Sequence, residues 1–290
     1  MQTVGTVLVT AIIVLFIGII WHDMHHFVIR TYELNSQKLQ HDLRICLLSD
    51  LHGKDYGHSN QALLAAIDKA GPEMILVAGD MITFGQKDRS GYDNAINLLT
   101  ALSRKYPVYL SNGNHEYKLD EYAENIGNFY SQYADKLEAA GVRILRNESV
   151  AVPDLNICIS GLEMDPYYYR RFYKHKMMEN YLTDTIGRTS KDIFQILIAH
   201  NPMYFEEYAA WGADLTVSGH VHGGIIRLPF LGGVISPALI LFPKYDGGKY
   251  DIADKTLILS RGLGTHSIPV RMFNPGEMVL IDLKKRSETV

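Results

Sequence analysis

The stretch Ser218-Gly219-His220-Val221-His222-Gly223-Gly224 places two imidazoles two positions apart, directly after the apolar run at 213–217. In extended backbone, residues i and i+2 project from one face, so both rings can converge on one point at a strand end. The flanking glycines let the chain turn sharply and let a ligand approach the backbone. An isolated pair of this kind also reads as two partly buried histidines with ordinary hydrogen bonds. Four further apolar runs end in the same fashion. Residues 43–48 lead into Asp50-Leu51-His52, 74–78 into Gly79-Asp80, 108–110 into Gly113-Asn114-His115-Glu116, and 193–199 into His200. Singly, each has a plain reading: Asp50 or Asp80 as a turn or cap residue, Asn114 as a left-handed turn residue, His200 as a loop histidine. Jointly, two Asp, one Asn and five His at five strand ends are the donor types of a divalent-cation site, because buried polar side chains are costly without a use.

The elements that must hold these side chains follow from hydrophobic runs and their punctuation. Strands are expected at 43–48, 74–78, 108–110, 142–145, 156–160, 193–199, 214–218, 256–260 and 278–283, several of them apolar throughout, as in strands covered on both faces. Helices are expected at 59–70, 92–104, 122–140 and 204–211, the first capped by Ser59 and stopped by Gly71-Pro72. Alternating strands and helices predict an α/β fold of stacked layers, with ligands outside the carboxyl ends of the strands.

Residues 4–21 form an apolar run without a charged side chain, ending at Trp21. At about 1.5 Å per residue this just crosses a hydrocarbon core, and Trp21 suits the interface. The N-terminus has no Lys or Arg before the run and no small-residue cleavage site after it, which favours a retained anchor over a signal peptide. Arg30, Lys38 and Arg44 follow the run, a pattern that places the main domain in the cytoplasm of a single-pass cell-membrane protein. The expected organisation is an anchor at 1–22, a juxtamembrane connector with a short strand at 27–32 inside 23–42, and one domain at 43–290.

A net charge of −4 over 290 residues leaves no basic stripe for a nucleic-acid polymer, while small anionic substrates stay possible. Cys46 and Cys158 lie in apolar runs and read as free, buried thiols. Residues 165–181 interleave tyrosines with basic side chains and read either as a cover over the site or, by preference, as an ordinary amphipathic helix. Residues 228–242, apolar and broken by Gly and Pro, read as a buried connection or a loop dipping into the membrane interface. Arg261 and His266 are candidates for the pocket mouth.

In order along the chain, Asp50-Leu51-His52, Gly79-Asp80, Gly113-Asn114-His115-Glu116, His200 and Gly219-His220-Val221-His222 resemble the five motifs of the calcineurin-like metallophosphoesterases. The likeness covers roughly residues 43–283, and Gly223-Gly224 with Arg227-Leu228-Pro229, and Ser260 to Gly264, are similar to stretches in small membrane-associated bacterial members. The resemblance implies a four-layer sandwich, two mixed β-sheets flanked by helices, below an N-terminal transmembrane helix. It implies two divalent metal ions (Mn, Fe, Zn or Ni): Asp50, His52 and His222 on one, Asn114, His200 and His220 on the other, Asp80 bridging, and His115 as the catalytic histidine. The expected activity is hydrolysis of a phosphoester or pyrophosphate bond by metal-activated hydroxide, with the tether favouring a lipid-linked or phospholipid substrate. Two alternatives stand beside it: a tethered phosphodiesterase for soluble nucleotides, and a non-catalytic interaction module on the same scaffold.

Overall fold

A computed structural model describes residues 2–85, 90–170, 174–224, 227–228, 230–236, 240–265 and 270–286, the side chains of 2, 125 and 126 aside. In chain order, helix α1 (Gln2–His25) precedes β1 (Phe27–Ser36), β2 (Leu43–Leu48), α2 (Gln61–Ala70), β3 (Met74–Val77), α3 (Ser90–Ser103), β4 (Val108–Leu110) and α4 (Asn114–Glu121). The chain continues through α5 (Ala123–Ile126), α6 (Phe129–Ala139), β5 (Arg143–Ile144), β6 (Glu148–Val152), β7 (Ile157–Leu162), α7 (Tyr181–Ile186), β8 (Phe194–Ala199), α8 (Phe205–Trp211) and β9 (Leu215–Ser218). A small ribbon, β10 (Arg227–Leu228) and β11 (Gly232–Gly233), leads to β12 (Gly248–Ile252), β13 (Lys255–Leu259) and β14 (Gly276–Lys285). One six-stranded sheet has the order β1-β14-β2-β3-β4-β5 and the other β12-β13-β9-β8-β7-β6. Both are mixed, with β2, β3 and β4 parallel in the first and β7, β8, β9 and β13 parallel in the second.

Period-two alternation builds the layers. In β2, Ile45 and Leu47 join Ile196 and Ile198 of β8 and Val217 of β9 between the sheets, while Cys46 and Leu48 face Leu63 and Ile67 of α2. In β8 the intervening Leu197 and Ala199 face Tyr208 of α8 and Leu182 of α7. Each such side chain withdrawn from water is worth about 1.5–3 kcal/mol, so the two central strands bind three layers at once. With helices outside both sheets, this is the expected four-layer sandwich. Cys46 is buried and Cys158 half-buried, and both are free.

Several local expectations are corrected. The short strand expected at 27–32 within the connector is a ten-residue edge strand, β1, paired in parallel with β14 along its whole length. Its half-exposed alternation hid its full extent, because only one face meets the core. Residues 122–140 do not form one helix: Gly127, at φ 92°, ends α5 and α6 begins at Phe129. Ser59 does not cap α2; Asn60 holds that position in a left-handed conformation, and its Oδ1 accepts instead from the Tyr56 amide at 3.1 Å. Among the described residues of the tyrosine-rich 165–181 segment there is no amphipathic helix but a 3-10 turn at Pro166–Tyr169, with α7 beginning at Tyr181. Among the described residues, the 228–242 stretch is not a buried connection, since Phe230 is fully exposed and Leu231, Leu241 and Phe242 are more than half exposed. Its ribbon is only two residues per strand, and Phe230 and Phe242 sit at positive φ in turns that throw their rings outward.

The apolar N-terminal run forms α1, whose most apolar 18-residue stretch within Thr3–His25 has mean hydropathy 2.7 and is not buried, a length and composition shared by membrane spans and signal sequences.

Candidate metal centre

The two sheets meet at their carboxyl edges, and five parallel strands deliver the candidate donors there. β2 leads to Asp50 and His52, β3 to Asp80, β4 to Asn114 at the start of α4, β8 to His200, and β9 to His220 and His222. Strands of two sheets must converge, so the chain turns back sharply after each. Asp50 (φ 50°), His52 (49°), Asp80 (53°), His220 (73°) and His222 (54°) all adopt left-handed backbone, which costs non-glycine residues about 1–2 kcal/mol each. His220 and His222 therefore do not project from one face of an extended strand; they occupy successive tight turns beyond β9 and aim at different partners.

Two donor groups result. Ligand-type atoms of Asp50, His52 and His222 lie within 4.8 Å of one another, and so do those of Asp80, His200 and His220. Asp80 stands between them, its Oδ2 3.0 Å from His200 Nε2 and 3.9 Å from His52 Nε2. His222 Nε2 is 3.3 Å from both Asp50 Oδ1 and His52 Nε2. His200 Nδ1 donates to the Ala78 carbonyl at 2.5 Å, so in the neutral ring Nε2 carries the lone pair that faces Asp80. Asn114 Oδ1 is buried with no hydrogen-bond partner, an orphaned acceptor of the kind a cation satisfies. Carboxylate, amide and imidazole donors without a thiolate suit borderline divalent ions, so the residues present fit two of them.

Electrostatics agree. Burial raises the Asp50 carboxyl to about 6, and although His200 opposes this, Asp80 adds to it. Asp80 stays well below the usual carboxylate range because His200, His115 and His52 overcome its burial. Burial alone would lower the pKa of His200, but the Asp80 carboxylate outweighs it and carries it to about 10. His222 is held well below its ordinary range by burial and by His52. Two carboxylates buried among imidazoles favour positive charge between them, as a divalent ion would supply.

Glu116 is a structural brace. Its Oε1 accepts from the amides of Met81 (2.7 Å) and Ile82 (3.2 Å), and its Oε2 from those of Asp80 (2.8 Å) and Gly113 (3.0 Å), tying the turn after β3 to the start of α4. His115 is buried beside the first group, its ring 5.1 Å from that of His52. The Phe84 amide donates to His115 Nδ1 at 2.8 Å, which leaves Nε2 to carry the proton of the neutral ring.

Tyr169 was not singled out by the sequence. Its ring lies 5.1 Å from His220 and 6.2 Å from His200, and its hydroxyl is buried without a hydrogen-bond partner. Burial, with Asp80 nearby, holds the phenol well above its ordinary pKa, so it stays a donor. Its only sequence signal was membership of the Tyr167-Tyr168-Tyr169 run. Arg261 is directed elsewhere, to Glu277 and a separate cavity lined by none of the candidate ligands. His266 lies outside the described residues.

Residues 43–224 match the calcineurin-like phosphoesterase family model, and the chain belongs to that family of metal-dependent phosphohydrolases, which use two divalent metal ions. The chain is 27% identical to the metallophosphoesterase Cj0846 of Campylobacter jejuni over 88% of its own length, and spans 63% of that protein's length. It is 21% identical to the phosphodiesterase YaeI of Escherichia coli over 77% of this chain and 75% of the relative. It is 23% identical to the UDP-2,3-diacylglucosamine pyrophosphatase LpxG of Chlamydia muridarum over 83% of each.

Proposed function

We propose that this chain is a single-pass membrane phosphoesterase that hydrolyses a phosphoester or pyrophosphate bond in a lipid-linked or phospholipid substrate. The observation that carries the membrane part is the join between α1 and the site. Asp23, buried near the end of α1, accepts the Asn274 amide through Oδ2 at 2.8 Å, and Asn274 Nδ2 donates to the carbonyls of His222 (2.7 Å) and Gly224 (3.0 Å). Lys54, two residues beyond His52, donates to the Met24 carbonyl at 2.5 Å. The donor loops of the first group are thus linked to the last turn of α1, one through Asn274 and one through Lys54, which supports retention of the helix and a site at headgroup height if α1 spans a bilayer. The relative named as a pyrophosphatase of a diacylglucosamine nucleotide supports a lipid-linked substrate.

In this reading Asp50, His52 and His222 would hold one ion and Asn114, His200 and His220 the second, with Asp80 available to both. The ions would supply an activated water and charge neutralisation for the phosphoryl oxygens; four positive charges against two carboxylates leave the centre attractive to an anion. His115 offers its Nε2 proton to the leaving-group oxygen, a role typically worth about 100- to 10,000-fold. Tyr169 closes the side next to His220 and can donate to a phosphoryl oxygen. Because topology is set before the domain folds, Arg30, Lys38 and Arg44 after the span favour a cytoplasmic domain, which a reporter fused at the C-terminus would read.

The test is phosphate release by the full chain from lipid vesicles, compared with bis-p-nitrophenyl phosphate and cyclic nucleotides, with the divalent ion varied. Lipid phosphate should be the best substrate. A preference for soluble nucleotides would transfer the activity to a tethered nucleotide phosphodiesterase, and no turnover on any substrate with both ions bound would end the enzyme reading.

A further inference from the structure

A second cavity, of about 490 Å³, is lined by Arg30, Arg227 and Arg261 together with Phe230, Leu231 and Phe273, and by none of the candidate metal ligands. Its position is tied to α1, because the Phe273 ring meets the Phe16 ring edge to face at 6.3 Å. Phe16 belongs to the apolar segment, so one rim of the cavity touches the helix that would sit in the bilayer. Phe230 and Leu231, on the ribbon between β10 and β11, are exposed apolar side chains with no facing element among the described residues.

The polar wall holds more positive charge than its partners neutralise. Arg30 Nε and Arg261 Nε lie 2.9 and 3.5 Å from the same Glu277 Oε2, while Arg227 Nη1 pairs with Asp246 Oδ2 at 3.0 Å. Asp246 Oδ2 also accepts the Gly233 amide at 2.6 Å. Three guanidiniums therefore share two carboxylates. Burial lowers the pKa of Arg261, Glu277 offsets only part of this, and Arg227 and Arg30 add to the lowering, as expected where cations crowd. Planar guanidiniums match the tetrahedral oxygens of phosphate, and neither carboxylate needs to leave for one to enter.

We propose that this cavity binds the phosphate of an anionic glycerophospholipid from the bilayer that holds α1, the acyl chains passing Phe230, Leu231 and Phe273. The site rests on the membrane reading of α1 and is separate from the hydrolytic centre. It would fix the rotation of the domain over the membrane, since α1 alone leaves the domain free to turn about one axis.

The test is native mass spectrometry of the full chain from detergent micelles with phosphatidylglycerol or phosphatidylcholine, each with and without an equal concentration of inorganic phosphate. Phosphatidylglycerol should be held about tenfold more tightly than phosphatidylcholine and survive the phosphate, and Arg30→Gln should remove that preference, as the loss of one charge-assisted contact predicts. Phe230→Asp places a like charge at the rim on a fully exposed side chain, so it should weaken phosphatidylglycerol without unfolding, even if Arg30→Gln disturbs the Glu277 pair. Equal binding of the two lipids, displacement by inorganic phosphate, or wild-type affinity in folded Phe230→Asp would each overturn the proposal. A chain that passes here but cuts no lipid keeps this site and loses the proposed substrate; the reverse outcome does the opposite.

Discussion

Gly219→Ala tests the centre without removing a donor. Gly219 is not left-handed, so alanine meets no backbone penalty; its Cβ would instead stand 2.2 Å from Asp50 Oδ2 and 2.8 Å from Ser49 Oγ. Ordinary contact begins near 3.4 Å, so the carboxylate must retreat by roughly 1 Å. It cannot do so freely, because Asp50 Oδ2 accepts from Ser49 Oγ at 2.7 Å, and both carboxylate oxygens accept from the His220 amide at 3.0 and 3.1 Å. Overpacking of this kind costs about 1–3 kcal/mol, and a displacement of about 1 Å in a reacting group costs on the order of 100-fold in rate. The variant should therefore fold, bind the Asp50 ion weakly, and turn over bis-p-nitrophenyl phosphate about 100-fold more slowly, read by metal analysis, thermal midpoint and initial rates. Gly113→Ala sends its Cβ to 2.2 Å from Asp80 Oδ1 and should weaken both ions, because Asp80 serves both groups. Gly71→Ala is the control: left-handed at φ 59° with open space around it, it should lose about 1 kcal/mol of stability and no metal. Full metal content and rate in Gly219→Ala would refute the placement of Asp50.

Three further outcomes are expected. His115→Ala should keep both ions and lose about 100- to 10,000-fold in turnover, with metal analysis and rates measured on one preparation; loss of metal would make His115 a brace for Asn114. In metal-free protein His220→Gly should be more stable than His220→Ala by about 1 kcal/mol, as the left-handed backbone at φ 73° requires, and the opposite order of thermal midpoints would remove the strain. Glu116→Gln turns an amide NH2 toward two of the four backbone N–H groups that Glu116 now accepts, so it should cost about 3 kcal/mol in chemical denaturation, and an unchanged midpoint would contradict the brace.

Legibility in the sequence followed burial. Strands such as β2, β3 and β8 are buried on both faces, so their composition alone announces them, and the donors follow because each stands just beyond such a run. Which donor joins which group came from the family likeness, and nothing in His220-Val221-His222 itself says that its rings part company. Edge strands were harder: β6 and β12 expose one face and mix polar with apolar residues, and β1 finds its partner β14 at the far end of the chain. Tyr169 differs from Tyr167 and Tyr168 only in where the 3-10 turn points it. Gly53 and Gly79 mark the turns beside His52 and Asp80, but nothing in the sequence says that Asp50, His52 and Asp80 themselves adopt left-handed backbone, where the gain is donor aim and not local comfort. Phe230 and Leu231 looked like core by composition, and only the missing partner element shows otherwise.

A single residue, His26, separates α1 from β1, and β1 runs in register with β14 along all ten positions. There is thus no slack between the helix and the sheet. With α1 in a bilayer, the catalytic centre cannot swing on a leash to sample its surroundings; its reach is set by its own footprint. A lipid-linked substrate, as proposed above, would have to come to it by lateral diffusion, and encounter frequency would then follow the fluidity of the membrane. A flexible spacer inserted at His26 would trade that fixed height for a wider search.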